Sequence, residues 1–353
     1  MLVERERLLE GSRLAEALLP ARTPARAHLL LEARGATCTL HAAGPDVALR
    51  LTLPADVEQP GAALLPARQA LAILRRTDAE VLLVESAAAG RLRLEGEGAE
   101  FDLKTPDPGR LPDPTPLPPG AGHPIPAACL CRGLRRTLLA VGRPTRRYAL
   151  HAVLCEVEAD RVRLVTTDNR RLAVAEVPLA ASAEPLAPAQ HLLPASAPQL
   201  LARVAAGQDE PVRAAFGQRH ALFQAGGALL RARYVEGHLP PWQKLLTDRT
   251  RYFVPVPVGP FFSAVRQAAA VREPQGGRLA VRFAPGRVLL ESCRPGQGRA
   301  RVGGRLPSSG AAVEVALKAG DRTELPAALE PETTLLFGVT GPEAPVLAVA
   351  GDE

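Results

Sequence analysis

Three stretches of this chain follow one pattern, and that repetition limits the fold more than any other feature. His28 opens HLLLEARGATCTLHAAGPDVALRL, His151 opens HAVLCEVEADRVRLVTTDNRRLAV, and Gly277 opens GRLAVRFAPGRVLLESCRPGQGRARV. In each, an alternating strand turns at an acidic or Gly-containing step into a second strand, and a polar loop leads into a third. A second shared block follows: LPARQALAILRR from Leu65, LPASAPQLLARV from Leu193, and a frayed copy, VALKAGDRTELPAAL, from Val315. The first two copies are offset by 123 residues at the histidines and 128 at the leucines. That period is too long for a solenoid unit and fits a domain. Three similar strand-rich units point to a ring or scaffold before they point to a catalytic cleft.

The boundaries follow from local composition. Residues 105–126 hold nine prolines and read as an extended linker. A second break lies at 247–260, in TDRTRYFVPVPVGP. The expected domains are therefore 1–115, 122–248 and 252–353. At 353 residues each has enough chain for its own core, and with aromatics at only 3% that core is expected to be Leu, Val and Ala. The opening MLVERERLLEGSRL is charged where a signal peptide is apolar, and no apolar run approaches 18 residues. A cytoplasmic protein without membrane association is expected. Five cysteines, Cys38, Cys129, Cys131, Cys155 and Cys293, form no CxxC pair and read as buried free thiols rather than metal ligands. No metal and no cofactor is expected.

Each unit begins with a helical pattern. Residues 4–19 place Leu8, Leu9, Leu14, Leu18 and Leu19 at helical spacing, residues 126–141 place Leu130, Leu134 and Leu138 on one face, and residues 259–271 do so with Phe262, Val265 and Ala269. In the second of these, Arg132, Arg135 and Arg136 fall opposite the leucines. The later helix at 66–76 groups Arg68, Arg75 and Arg76. Arginines on a helix back are ordinarily a solvated face; repeated on equivalent helices, they are also candidates for one continuous basic surface. The net charge of +6 permits a polyanionic partner without requiring one. Only three of the 43 basic residues are lysines: Lys104, Lys244 and Lys318.

Four segments, in order, resemble the bacterial DNA polymerase III beta subunit, the sliding clamp. VERERLLEGSRLAEALL is similar to the first clamp helix. RRYALHAVLCEVEADRVRLVTTDNRRLAVAEV resembles the second clamp domain, with its T-D-G-H-R-L turn present as Thr167-Asp168-Asn169-Arg170-Arg171-Leu172. RYVEGHLPPWQKLLT, from Arg233, is similar to the G-R-F-P-D-Y-x-x-V-L-P segment, and TGPEAPVLAV resembles a late clamp strand. The resemblance spans the chain and is strongest at 145–250.

It implies the α+β DNA clamp fold: three tandem similar domains, each with two helices packed on antiparallel sheets. Two subunits are expected to join head to tail as a homodimer, a six-domain ring around double-stranded DNA, bound without regard to sequence. The implied function is a non-enzymatic processivity factor that tethers DNA polymerase III during replication. Its implied partners are the polymerase alpha subunit and the clamp loader.

Carried onto this sequence, the resemblance marks Arg22, Arg147 and Tyr148 as DNA contacts. Arg143 and Arg146 add nearby charge, and Arg75, Arg76, Arg132, Arg135 and Arg136 supply the helix surface. Phe101 and Leu103 match an apolar edge strand at the subunit interface, facing Ala270 and Val271; ordinary domain core is the other reading of the first pair. A partner-peptide pocket is implied at Leu150, Thr167, Arg171, Leu172, Pro240, Lys244, Leu245 and Val346, with packing at a domain junction as its bland alternative.

The sequence also departs from the family. It stops at Ala350-Gly351-Asp352-Glu353, where clamps continue into a last strand ending M-P-M-R-L, so an open edge and a shallower pocket are expected. Asn169 and Arg170 replace the Gly and His of the turn, and Gly276 and Asp321 stand where aromatics are expected. A divergent paralogue with a weakened pocket, acting in repair or as a scaffold, is therefore an alternative to the working replicative clamp. A monomeric scaffold is a further one. An enzyme acting on nucleic acid is disfavoured, because Asp46, Asp102, Asp107 and Asp168 are scattered and no HExxH or GxxxxGK[ST] occurs.

Overall fold

The computed structural model describes residues 1–19, 28–87, 90–106, 122–142, 148–180, 186–246, 252–271, 278–294, 296–306, 312–318, 328–339 and 346–351. Its first two passes share one element order, and the third follows that order with a single helix among the described residues. The first pass runs β1 (Leu2–Glu4), α1 (Arg5–Glu16), β2 (His28–Arg34), β3 (Thr37–Ala43), β4 (Val47–Pro54), β5 (Gly61–Pro66), α2 (Ala67–Leu74), β6 (Val81–Ala87), β7 (Arg91–Gly96) and β8 (Ala99–Lys104). The second runs β9 (His123–Ile125), α3 (Ala127–Leu138), β10 (Ala152–Val157), β11 (Arg161–Thr167), β12 (Leu172–Pro178), β13 (Ala189–Pro194), α4 (Ser196–Val204), β14 (Val212–Phe216), β15 (His220–Ala225) and β16 (Ala228–Arg233). The third runs β17 (Tyr252–Pro257), α5 (Val258–Ala269), β18 (Arg278–Ala284), β19 (Arg287–Arg294), β20 (Gly298–Arg305), β21 (Val313–Lys318), β22 (Thr334–Val339) and β23 (Leu347–Ala350).

Every strand pairing is antiparallel, and the chain divides into two compact units, Met1–Leu239 and Pro240–Glu353. The first two passes share the first unit because β4 pairs with β16, fusing their strands into an eight-stranded sheet ordered β5-β2-β3-β4-β16-β15-β14-β9. Leu49 faces Leu230 across that seam, and both are buried.

The first unit's core is aliphatic, as composition suggests, with Leu29, Leu40, Leu49, Leu65, Leu74 and Leu82 fully buried. The second unit departs from that expectation. Its core centres on Phe261, Phe262, Phe283 and Phe337, with Phe261 5.4 Å from Phe262 and 5.3 Å from Phe337, both edge-on. Rings are few in this chain, but their large buried area concentrates in one place.

Two segments read as connectors contain strands. Ile125, within the proline-rich stretch, is 1% exposed, and its burial recruits His123–Ile125 as the edge strand β9 against β14. An edge position tolerates Pro124, which lacks a ladder N–H. Likewise Val254 and Val256 bury one face of β17 despite Pro255 and Pro257.

Helices are seated on the sheets by close approach. Gly133 in α3 has no room for a side chain, since a Cβ there would lie 2.6 Å from a Val177 methyl on β12. At the end of α3, Thr166 on β11 donates its hydroxyl to the Thr137 carbonyl at 2.6 Å. The equivalent Ser292 on β19 donates to the Ala268 carbonyl of α5. Each hydroxyl thereby ties a carbonyl in the last turn of a helix to the sheet beneath it.

An ion network covers one face of the β10–β13 sheet. Arg163 lies 3.2 Å from Glu156, 2.7 Å from Glu158 and 2.8 Å from Glu176, and Arg161 lies 2.9 Å from Glu176. The Arg163 hydrogen bond is the main cause that holds the Glu176 carboxyl below its ordinary pKa, with Arg161 assisting against desolvation. A depressed folded-state pKa contributes stability that is present above the unfolded value and lost as pH falls through the folded one. Acid titration of Glu176→Gln should therefore show a shallower loss of stability below about pH 4 than the parent chain. Identical acid limbs would remove Glu176 from the account.

Candidate nucleic-acid interface

In the first unit α1 packs against α2 and α4, and α4 against α3, so the four helices form one layer. Their apolar faces lie on the sheets, with Leu8 and Leu9 of α1, Leu71 and Leu74 of α2, Leu130 and Leu134 of α3, and Leu200 and Leu201 of α4 buried. The charges on that layer are unequal. Glu6, Glu10 and Glu16 lie on α1, whereas α2, α3 and α4 contain no Asp or Glu. Three of the four helices thus present guanidinium charge without carboxylates on the same helix, which suits a polyanion.

Of the DNA-contact candidates, Arg75 and Arg76 are exposed at the end of α2, with Arg75 3.7 Å from Glu16. On α3 Arg135 is exposed, while Arg132 and Arg136 are half-buried, so the opposition to the leucines is complete only for Arg135. Arg132 donates to the Cys129 sulfur at 3.5 Å. Both Arg135 and Arg136 occupy the last turn of α3, where the helix dipole favours cations. Tyr148 begins a 3-10 turn at Tyr148–His151. Arg22, Arg143, Arg146 and Arg147 lie outside the described residues.

The structure adds two arginines to this layer. The Arg203 guanidinium on α4 donates to the Arg13 carbonyl on α1 at 3.2 Å, and both side chains are exposed. A signal existed: Arg203 sits in LPASAPQLLARV, the block that repeats the arginine-bearing LPARQALAILRR.

Cys38 and Cys155 are buried as expected, Cys129 and Cys131 are half-buried, and Cys293 is exposed, against the expectation of buried thiols. Burial pushes Cys38 up to about 11 and Cys155 up to about 12, and desolvation also raises Cys131 against the opposing charge of Arg135. Among the described residues no group of three His, Cys, Asp or Glu side chains is placed to hold a metal ion.

The Thr167–Leu172 turn is closed by its own side chains. Asp168 Oδ1 accepts the backbone N–H groups of Arg170 and Arg171 at 2.9 Å each, and its Oδ2 accepts Arg171 Nε at 3.1 Å. Thr167 donates its hydroxyl to the Arg171 carbonyl at 2.8 Å. Asn169 has φ +68°, the left-handed conformation that glycine adopts without cost and asparagine tolerates. Asn169→Gly should leave stability nearly unchanged, whereas Asn169→Val should cost about 1–2 kcal/mol. Chemical denaturation distinguishes these outcomes, and equal midpoints would refute the conformational argument.

The structure thus brings Thr167, Arg171 and Leu172 into one turn. Leu150 is half-buried and held by its carbonyl, which accepts the Gly142 N–H at 2.8 Å. Pro240, Lys244, Leu245 and Val346 belong to the second unit: Pro240 and Lys244 are exposed, Leu245 ends a 3-10 turn, and Val346 packs partly against the phenylalanine core.

For the interface candidates, Leu103 is 8% exposed and Phe101 packs against the same core, so both stabilise their own unit. What β8 leaves open is its backbone edge. Ala270 is exposed and Val271 half-buried. Val271 borders the head of β20, where a Cβ on Gly298 would come within 3.1 Å of its methyl.

Comparison with known proteins fits this arrangement. Residues 124–241 match the DNA polymerase III beta subunit, central domain. The beta sliding clamp of Streptomyces coelicolor is 27% identical over 296 residues, covering 82% of this chain and 78% of that one. The central part of the chain is thus similar to the DNA polymerase III beta subunit family. The beta sliding clamp of Escherichia coli K12 is 26% identical over 249 residues, covering 69% of this chain and 67% of that one. Among solved structures, the Pseudomonas aeruginosa DNA polymerase III subunit beta aligns with TM-score 0.85 at 21% identity, covering 100% of this chain and 96% of that chain. The Bacillus subtilis DNA polymerase sliding clamp aligns at 0.87 and 19%, covering 100% and 95%. These structural matches establish the clamp fold. Asn169 stands at the third position of that turn, where the T-D-G-H-R-L pattern has glycine, and takes φ +68°.

Proposed function

We propose that this protein is a sliding clamp: it encircles duplex DNA, holds it through sequence-independent phosphate contacts, and tethers the DNA polymerase III holoenzyme during strand elongation. The observation that carries this reading is the acid-free arginine surface of α2, α3 and α4 in a single helix layer. Phosphate contacts of this kind bind without fixing register, which a moving tether requires. A cytoplasmic location accompanies the reading; among the described residues no helix is long and apolar enough to cross a membrane. No catalytic step is assigned, and no observation favours the divergent-paralogue alternative.

The three sequence repeats are read as three clamp domains. The seam inside the first unit is a template for joining two copies. There β16, the last strand of the second repeat, pairs with β4 of the first. By repeat position, β8 corresponds to β16 and β20 to β4, so β8 of one copy would extend the sheet of a second copy at β20. In that register Phe101 takes the place of Leu230 and faces Ala300 of the partner subunit. Two such joins close a two-fold ring. The alpha subunit and clamp loader are the proposed partners, and the Thr167–Leu172 turn with Leu150 is proposed to contact their peptides.

Light scattering and retention on DNA test the reading together. The expected result is a mass of two chains, and protein that remains on a closed circular duplex in high salt but runs off after the circle is cut. A single-chain mass at micromolar concentration, or equal retention on cut and closed DNA, would overturn it.

A further inference from the structure

Two sheet edges of this chain carry opposite charge. β8 ends the order β1-β6-β7-β8 and β20 begins the order β20-β19-β18-β21, so among the described residues each has a strand on one side only. On β8 the alternation turns Phe101 and Leu103 toward the core and Glu100 and Asp102 outward. On β20 it turns Ala300 and Val302 inward and Arg299 and Arg301 outward. The carboxylate side chains are 51% and 40% exposed, and the arginine side chains 65% and 66%.

Each pair is steadied from within its own sheet. Arg93 on β7 lies 2.9 Å from Glu100 and 3.7 Å from Asp102. Glu291 on β19 lies 2.7 Å from Arg299 and 3.3 Å from Arg301. One opposite charge thus stands behind two like charges at each edge. That leaves a net negative charge on the outward side of β8 and a net positive charge on that of β20.

The β4–β16 seam supplies the register in which these edges meet. There Leu229 faces Arg50, Leu230 faces Leu49 and Arg231 faces Ala48. With Phe101 in the place of Leu230 and the partner subunit's Ala300 in that of Leu49, Glu100 falls opposite the partner subunit's Arg301. Asp102 falls opposite the partner subunit's Arg299. Residues directly opposite in an antiparallel pair share a face at about 5 Å between Cβ atoms, which is within reach of an ion pair. The seam inside the chain has no such pairs, since its arginines stand opposite Leu229 and Ala48. Chain connection already brings β4 and β16 together, whereas a joint between copies has to select its partner edge.

We propose that Glu100 and Asp102 on β8, with Arg299 and Arg301 on β20, select which edges of two copies join. The proposal rests on the head-to-tail ring reading and adds the residues that set its direction. Joining β8 to β8 brings carboxylates together, and joining β20 to β20 brings arginines together. Only the β8–β20 joint pairs opposite charges, so the occupant of each edge is a second copy met at its other edge.

Charge exchange in the full 353-residue chain tests this. One variant carries Glu100→Arg and Asp102→Arg, and the other carries Arg299→Glu and Arg301→Glu. Light scattering reads the mass, and melting profiles confirm that each variant is folded. Alone, each is expected to pair with itself about a hundredfold more weakly than the parent chain. Mixed in equal amounts, the two restore both joints, and a two-chain mass with one of each returns. A chain with all four substitutions should again pair with itself. A parent chain of single-chain mass overturns the ring reading and this proposal with it. A paired parent whose variants each still pair with themselves leaves the ring standing and overturns selection by charge. So does a mixture that stays single-chain while the parent pairs.

Discussion

Simultaneous replacement of Arg75, Arg135 and Arg203 by glutamate is expected to weaken binding to duplex DNA by about a hundredfold at low salt. Arg75 caps the end of α2, and Arg135 and Arg203 lie on α3 and α4; none of these helices carries a carboxylate of its own. All three side chains are exposed, so exchanging their charge leaves the packed leucines beneath them in place. Each phosphate neutralised by the parent chain contributes about 0.9 to the slope of log affinity against log salt, so the triple variant should lose between two and three units of slope. The control is Arg219→Glu, a charge reversal at an exposed residue outside the helix layer. Filter binding across a salt series measures both quantities. A similar loss in the control would mean that net charge, rather than this surface, governs association.

The second large effect concerns stability. Phe261→Ala is expected to destabilise the second unit by about 3–5 kcal/mol, the range for emptying an aromatic core position. Phe261 is 2% exposed and contacts Phe262, Phe283 and Phe337, so its removal takes away the ring that the others share. The first unit has a separate aliphatic core and should keep its own transition. Calorimetry should therefore show one endotherm moved to lower temperature and another unmoved. A single endotherm that shifts as a whole would show that the two cores melt as one.

Much of this architecture was legible in the sequence where periodicity and burial agree. The leucine spacing at Leu130 and Leu134 gave α3, and the repeated blocks gave α2 and α4, because an amphipathic stripe has few other ways to hide its apolar face. The Thr167–Leu172 turn was legible through its resemblance to T-D-G-H-R-L, and Asn169 at the glycine position takes the positive φ. Legibility failed where tertiary burial overrides local signals. Proline density hid β9, whose single anchor is Ile125, and composition hid the phenylalanine cluster, because a percentage over the whole chain says nothing about clustering. Arg203 itself was legible in the repeated block, but its placement beside Arg13 needed the packing of α4 against α1.

The β4–β16 seam carries a consequence for how such a chain can change over generations. A backbone ladder reads length and register rather than side-chain identity, so substitutions on either strand are absorbed while the ladder survives. An inserted residue is different: it turns alternate side chains to the wrong face on one strand and breaks the match with the other. Gains or losses of chain length at this joint must therefore arise as compensated pairs, even where most of the amino acids around it have been exchanged.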